Sequence, residues 1–107
     1  MRDELNILKF IGLAYRAGKV VSGFDQVTAA IRRGQVKLLI LASDISRNTL
    51  SKLLDEGNRL DAGLPDAYSF STQAQLGQAI GKPDRALIAI TDQGFADKLS
   101  DMLSEVE

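Results

Sequence analysis

Two almost uninterrupted apolar runs constrain the fold of this chain most strongly. They are Val36–Ala42, in which Lys37 is the only polar residue, and Ala86–Ile90. A strand that is exposed on one face alternates between apolar and polar residues, whereas a strand covered on both faces is apolar throughout. Both runs are far shorter than the roughly 20 residues that a membrane span needs. They therefore predict two strands in a sheet that helices cover on both faces.

The rest of the chain predicts five helices and two further strands. Apolar residues recur at three- and four-residue steps, with capping residues before the helices and Gly after several of them. The predicted helices cover residues 3–17, 23–33, about 46–60, 72–81 and 92 onward, and the predicted strands are residues 19–21, 36–42, 66–70 and 85–91. Helices that alternate with buried strands predict an α/β fold: a three-layer α/β/α sandwich with about four strands. The length predicts one domain over residues 1–107.

Local capping signals place the helix starts. Ser22 is expected to cap the second helix, with Asp25 as the acidic partner of a capping box. Ser46 or Asn48 is expected to start the third helix, Ser71 or Thr72 to cap the fourth, and Asp92 and Gln93 to open the last. Each of these side chains has an oxygen that can accept a hydrogen bond from a free backbone N–H of the first turn.

The absence of His and Cys narrows the possible chemistry. Without these residues the chain has no disulfide, no thiol nucleophile, no thiolate metal site and no Ser-His-Asp triad. The segment Gly77–Lys82 has three residues between its glycines where a phosphate loop needs four, and Pro83 replaces the Ser or Thr that would bind magnesium. We therefore expect no enzyme activity, no metal, no cofactor and no small-molecule substrate. The competing hypothesis is a small hydrolase or phosphoryl-transfer enzyme that uses Asp44 or Asp92 at the strand ends.

Charge is distributed unequally although the formal net charge is only −1. Residues 1–37 carry seven cations and three anions, and residues 38–107 carry six cations and eleven anions. Within the basic part, the start of the second helix offers free N–H groups and the polar side chains of Asp25 and Gln26, with Lys19 before it and Arg32 and Arg33 after it. Such a helix start suits base edges, and the cations suit phosphates, so this segment favours RNA binding. An ordinary capped surface helix is the alternative.

Five segments in register resemble a known family. They are Ile11-Gly-Leu-Ala-Tyr-Arg-Ala-Gly-Lys19, Val21-Ser-Gly-Phe-Asp-Gln-Val27 followed by Ala30-Ile-Arg-Arg-Gly34, Leu41-Ala-Ser-Asp-Ile-Ser46, Leu76-Gly-Gln-Ala-Ile-Gly-Lys82 and Ile90-Thr-Asp-Gln-Gly-Phe-Ala96. In order and spacing they cover nearly the whole chain. The chain thus resembles the kink-turn-binding ribosomal protein superfamily of archaeal protein L-seven-Ae, and most of all its small bacterial members of the YlxQ type. The resemblance implies an α/β/α sandwich that binds structured RNA.

The resemblance also implies a site. The family signature Gly-Thr-Asn-Glu-Val-Thr-Lys falls on Gly23–Ala29, and in the family this turn reads the tandem sheared G·A pairs of a bent RNA. The resemblance further implies that the loop at residues 81–85 covers the flipped-out nucleotide and that the loop at Asp44 and Ile45 lies beside it. We expect the cations of the site to neutralise phosphates. The candidate RNA-binding residues are Lys19, Ser22, Gly23, Phe24, Asp25, Gln26, Thr28, Arg32, Arg33, Asp44, Ile45, Lys82, Pro83 and Arg85.

Four positions depart from the family signature, and one of them is Phe24, which replaces Thr. Asp25 replaces Asn and loses its N–H donors, Gln26 replaces Glu and regains donors, and Ala29 replaces Lys and removes a cation. One base contact contributes roughly 1–3 kcal/mol, so its loss is expected to weaken binding about tenfold or more. Phe24 has two possible roles, which are stacking on an unpaired base and packing against the sheet.

Taken together, these observations predict a non-catalytic, monomeric protein that resembles ribosomal proteins and recognises a bent or kink-turn-like ribosomal RNA. We expect it in the cytoplasm and away from membranes, because the sequence shows no signal peptide and no membrane span. A protein–protein adaptor of the same fold, with weak or no kink-turn binding, is the alternative, because a fold does not fix a function.

Overall fold

The described chain alternates helices with strands in the order that the sequence predicts. A computed structural model describes residues 2–61 and 63–106. In this part of the chain the elements are α1 (Arg2–Arg16), β1 (Val20–Ser22), α2 (Phe24–Arg32), β2 (Leu38–Leu41), α3 (Arg47–Asn58), β3 (Ala67–Ser69), α4 (Gln73–Ala79), β4 (Leu87–Ile90) and α5 (Gln93–Glu105). The predicted strands at residues 36–42, 66–70 and 85–91 are two or three residues longer than β2, β3 and β4, and the strand predicted at residues 19–21 is shifted by one residue. None of the described helices is long and apolar enough to span a membrane.

The four strands form one mixed sheet in the order β1-β4-β2-β3. Strand β4 runs antiparallel to both of its neighbours, and β2 and β3 are parallel. Strands β1, β2 and β3 therefore finish at the end of the sheet where β4 begins. We call this the Gly23 end, because Gly23 directly follows β1 there. The opposite end, where Lys19 precedes β1, is called the Lys19 end.

Alternate residues of the two central strands enter two separate apolar cores. In β4, Ile88 and Ile90 pack on the side covered by α1, α4 and α5, whereas Leu87 and Ala89 pack on the side covered by α2 and α3. All four residues are at most 1% exposed. Because both faces are buried, the sequence of β4 does not alternate between apolar and polar residues. The two cores confirm the prediction of a three-layer α/β/α sandwich.

The helix starts agree with the sequence at three helices and differ at one. Ser46, Thr72 and Asp92 each accept a hydrogen bond from the backbone N–H three residues later. The prediction for α2 is wrong, because its N-cap is Gly23 and no side chain caps the helix. Ser22 instead belongs to β1, where it pairs with Ile88, so a capping box with Asp25 does not form.

Candidate nucleic-acid interface

The three segments of the predicted site meet at the Gly23 end of the sheet. One is the start of α2, the second is the loop after β2 with Asp44 and Ile45, and the third is residues 81–85 before β4. The backbone N–H of Gly23 donates a 3.1 Å hydrogen bond to the carbonyl oxygen of Leu87. This bond holds the start of α2 beside the exit of the 81–85 loop.

Arg85 joins the start of α2 to that loop. Its Nε donates to Oγ of Ser22 at 3.2 Å, and its guanidinium NH1 donates to the carbonyl oxygens of Asp84 at 3.0 Å and Pro83 at 3.4 Å. The Arg85 side chain is half-buried. The sequence predicts a phosphate contact for Arg85, and in the structure its Nε and NH1 groups donate to protein oxygens.

Gln73, which is absent from the predicted set, connects the Asp44 loop to the 81–85 loop. Its backbone N–H donates to Oδ1 of Asp44 and its side-chain Nε2 donates to the Asp44 carbonyl oxygen, both at 2.9 Å. Its own carbonyl oxygen accepts a 3.0 Å hydrogen bond from the N–H of Arg85. No local sequence pattern indicates these contacts, because Gln73 and Asp44 lie 29 positions apart in the chain.

The 81–85 loop packs tightly against α4. The N–H of Lys82 donates to the carbonyl oxygen of Gly77 at 2.9 Å. A Cβ atom at Gly77 would lie only 2.1 Å from the carbonyl oxygen of Pro83, so no larger residue fits there without moving the loop. The side chains of Lys82 and Pro83 remain exposed.

The first turn of α2 presents a subset of the candidate residues. Asp25 and Gln26 are exposed, whereas Phe24 is half-buried against the α2–α3 core. Thr28 is only 3% exposed, and its hydroxyl donates to the carbonyl oxygen of Asp25 at 3.1 Å. Because Gly23 has no side chain to cap the helix, the first N–H groups of α2 have no side-chain acceptor.

Lys19, Arg32 and Arg33 are not brought to this site. Lys19 lies at the far end of β1, about 10 Å away at the usual strand rise. Helix α2 begins at the Gly23 end and has nine residues, so Arg32 and Arg33 lie about 13 Å from its start. The sequence placed these cations near Gly23 because they are close along the chain, and the direction of α2 separates them.

Arg32 has a partner within the protein. Its Nε donates to Oε2 of Glu56 at 3.2 Å, and its NH2 donates to Oε1 of the same carboxylate. The hydrogen bond from Arg32 holds the pKa of Glu56 below its ordinary value, against the opposing effect of burial. The same bond raises the pKa of the Arg32 guanidinium. This bidentate pair joins α2 to α3, so Arg32 has a structural role.

Charges are balanced at the Gly23 end. Residues 22–28, 44–47 and 81–85 contain three cations and three carboxylates: Arg47, Lys82 and Arg85 against Asp25, Asp44 and Asp84. Arg47 is the exposed first residue of α3 and is absent from the predicted set. The predicted helix start at Ser46 could have indicated Arg47, because the residue that follows an N-cap is the first residue of the helix and lies at the same end of the sheet.

The carboxylates proposed for the catalytic hypothesis serve as backbone acceptors. Oδ1 of Asp44 accepts the N–H of Gln73, and Oδ2 of Asp92 accepts the N–H of Phe95 at 2.9 Å. Within residues 2–61 and 63–106, no group of three or more acidic, His or Cys residues is placed to hold a metal ion. Both carboxylates therefore have structural roles at helix starts.

Comparison with known proteins identifies the family. A family model described as the ribosomal protein L7Ae/L30e/S12e/Gadd45 family matches residues 6–100. The chain belongs to this family. The match includes all the segments that meet at the Gly23 end, and it confirms the resemblance found in the sequence.

Relatives in the L7Ae/L30e/S12e/Gadd45 family align over most of the chain. A Bacillus subtilis protein named "RNA-binding protein YlxQ" is 45% identical over 93 residues, which cover 87% of this chain and 90% of the relative. Large ribosomal subunit protein eL8 of Thermoplasma volcanium is 30% identical over 101 residues, covering 94% and 82%. A solved Bacillus halodurans protein of unknown function superposes with a TM-score of 0.80 at 37% identity, covering 92% and 96%.

Proposed function

We propose that this chain is a non-catalytic RNA-binding protein that recognises a bent, kink-turn-like RNA at the Gly23 end. The observation that carries the proposal is the convergence of the start of α2, the Asp44 loop and the 81–85 loop in a member of this family. The relatives' names, RNA-binding protein and ribosomal protein, favour an RNA partner over the adaptor alternative.

The proposed recognition begins at the first turn of α2. Free N–H groups and the exposed Gln26 amide face base edges, because a helix start without a side-chain cap offers donors to a ligand. The 81–85 loop, with exposed Lys82 and Pro83, closes over an extruded base. The hydrogen bond from Arg85 to Ser22 keeps these two parts at a constant separation before RNA arrives.

A titration against two RNAs tests this function. One RNA contains a standard kink-turn, and the other is a straight duplex of the same length. We expect tighter binding to the kink-turn, with an affinity that falls as salt rises because phosphates are neutralised. Equal affinity for the two RNAs would contradict shape recognition.

A matched pair of glutamine variants locates the contact. Gln26→Ala removes an exposed amide from the first turn of α2, and Gln78→Ala removes an exposed amide from α4. A base contact of roughly 1–3 kcal/mol corresponds to a loss of about 5- to 150-fold in affinity for Gln26→Ala. Gln78→Ala should bind like the wild type, and equal losses in both variants would remove α2 from the proposed interface.

A further inference from the structure

Three cations that do not reach the Gly23 end form a separate surface at the Lys19 end. These are Lys19, Arg33 and Lys37, which we call the Lys19 patch, and all three are exposed. The surrounding segments, residues 16–20 and 32–38, contain no carboxylate and five cations, one of which, Arg32, is paired with Glu56. Within the described chain the other four cations have no ion-pair partner, and the acidic residues on the adjoining segments are Asp61, Asp66 and Asp92.

Strand pairing places the two lysines of the patch on either side of β4. Val20 and Leu38 both pair with Ile90, so Lys19 and Lys37 flank Thr91 one position farther along. The N–H of Thr91 donates to the Lys19 carbonyl oxygen at 2.9 Å, and the N–H of Lys37 donates to the Ile90 carbonyl oxygen at 2.8 Å. Two strand spacings separate the lysine Cα atoms by about 10 Å.

Arg33 completes the patch from the helix above the sheet. It is the C-cap of α2 and is separated from Lys37 by a turn at Gly34, whose φ is 72°. A cation at a helix C-terminus interacts favourably with the helix dipole, and this interaction gives Arg33 a structural role. The dipole does not account for Lys19 and Lys37, which directly precede β1 and β2.

No carboxylate neutralises this patch within the described part of the chain. The ion pairs in residues 2–61 and 63–106 all involve Glu56, with Arg32 and Arg59 as its partners. The nearest acidic positions along the paired strands are Asp92, whose carboxylate accepts the Phe95 N–H, and Asp66 at the start of β3. Lys19, Arg33 and Lys37 therefore keep their charges available to a partner.

We infer that the Lys19 patch binds the phosphate backbone of a double-stranded RNA segment, separately from the Gly23 end. Large exposed apolar residues in the described chain are Leu5, Leu13, Leu54 and Val106, none of them in the patch. Protein interfaces favour aromatic residues and disfavour Lys, whereas nucleic-acid contacts to phosphate favour Lys and Arg. A duplex has about one phosphate charge per 1.7 Å of axis, so several phosphates lie within reach of cations about 10 Å apart.

This inference rests on the proposed function for its choice of RNA, and it extends that function to a second surface. Helix α2 spans about 13 Å between the two ends. A bent RNA that places its internal loop at the start of α2 has an adjoining helical arm that can extend along α2 to the patch. The Gly23 end then recognises shape, and the patch supplies much of the electrostatic attraction.

A triple variant with a matched control tests the inference. Lys19→Ala, Arg33→Ala and Lys37→Ala remove the patch, and Lys9→Ala, Lys52→Ala and Lys98→Ala remove three exposed lysines from α1, α3 and α5. Both variants lose the same charge, and circular dichroism checks that both are folded. The probe is a 20-base-pair RNA duplex without an internal loop, titrated at several salt concentrations.

The patch variant should lose most of its duplex affinity, with a fall of about 2 to 3 in the slope of log affinity against log salt. The control variant should retain a slope close to that of the wild type. Equal losses in the two triple variants would overturn the inference, because a general charge effect would then explain the binding. An unchanged patch variant would overturn it as well.

Trimming the RNA separates this inference from the proposed function. Two further kink-turn RNAs each have one helical arm shortened. The wild type should bind one of them more weakly than the full-length RNA. The patch variant should bind that shortened RNA and the full-length RNA with equal affinity. A wild type that binds the duplex through the patch but does not prefer a kink-turn would contradict the proposed function and leave the inference standing. A wild type that prefers the kink-turn but is indifferent to both arms would contradict the inference alone.

Discussion

Nε of Arg85 donates a 3.2 Å hydrogen bond to Oγ of Ser22, which lies 63 residues earlier in the chain. The bond connects the end of β1 to the loop before β4, and the same guanidinium holds the carbonyl oxygens of Pro83 and Asp84. Arg85 therefore positions the 81–85 loop against the start of α2, and its contribution to RNA binding should differ from that of a free cation.

We expect Arg85→Ala to weaken kink-turn binding about tenfold while leaving the salt dependence of binding nearly unchanged, because it releases the loop without removing a phosphate contact. Lys82→Ala removes an exposed cation and should lower the salt slope by about 1. Ser22→Ala should reproduce part of the Arg85→Ala effect. Titrations at four salt concentrations distinguish the two roles, and a salt slope that falls equally in Arg85→Ala and Lys82→Ala would assign Arg85 to phosphate contact.

Replacing Gly77 with Ala should displace the same loop from the other side. The new Cβ would approach the Pro83 carbonyl oxygen to 2.1 Å, so the loop must move. We expect a loss of about 1–3 kcal/mol in the free energy of unfolding, together with weaker RNA binding. Gln78→Ala, at the exposed next position of α4, is the control and should change neither quantity. Urea unfolding and RNA titration of the two variants provide the measurement, and wild-type behaviour of Gly77→Ala would disprove the tight packing.

Restoring a family residue in α2 should strengthen RNA binding. Ala29 stands where the family signature has Lys, and Ala29→Lys supplies a cation near the proposed interface. We expect about a tenfold gain in affinity for the kink-turn, since one such contact contributes roughly 1–3 kcal/mol. Asn6→Lys, at an exposed position of α1 on the opposite face of the sheet from α2, adds the same charge elsewhere and should have little effect. A gain of the same size in both variants would indicate a non-specific charge effect.

Adjacent leucines in α3 provide a test of the α2–α3 core. Leu53 is 1% exposed and Leu54 is 52% exposed. Leu53→Ala should lower the free energy of unfolding by about 2–5 kcal/mol, because it removes buried apolar surface and leaves a cavity. Leu54→Ala should change it by less than about 0.5 kcal/mol. Denaturant unfolding of the two variants measures both effects, and similar values would contradict the orientation of α3.

The Arg32–Glu56 pair should make stability depend on pH. Because Arg32 lowers the pKa of Glu56 in the folded state, this pair stabilises the fold above the ordinary Glu pKa and loses that effect as the pH falls through the lowered value. Glu56→Gln should therefore be less stable than the wild type at pH 7, and the difference should shrink on acidification. Glu105→Gln, an exposed position on α5, is the control. A difference that does not vary between pH 7 and pH 3 would rule out the ionised pair as its source.

The sequence by itself determined the elements of this protein. The sequence runs of β2 and β4 could be recognised because strands buried on both faces do not alternate between apolar and polar residues. The helix starts at Ser46, Thr72 and Asp92 could be recognised because a capping side chain bonds to the backbone only three residues along the chain. The same local rule failed at Ser22. That residue continues β1 by pairing with Ile88, and no local pattern reports a partner 66 positions away.

Only the tertiary structure decided which candidate residues lie together. Lys19 and Gly23 are neighbours in sequence, but a strand extends the chain between them and places them at opposite ends of the sheet. Arg85 and Ser22 are distant in sequence, but the antiparallel pairing of β1 with β4 brings them into contact. Strand order and helix direction depend on burying both faces of the sheet at once, which is a property of the whole chain and of no single segment.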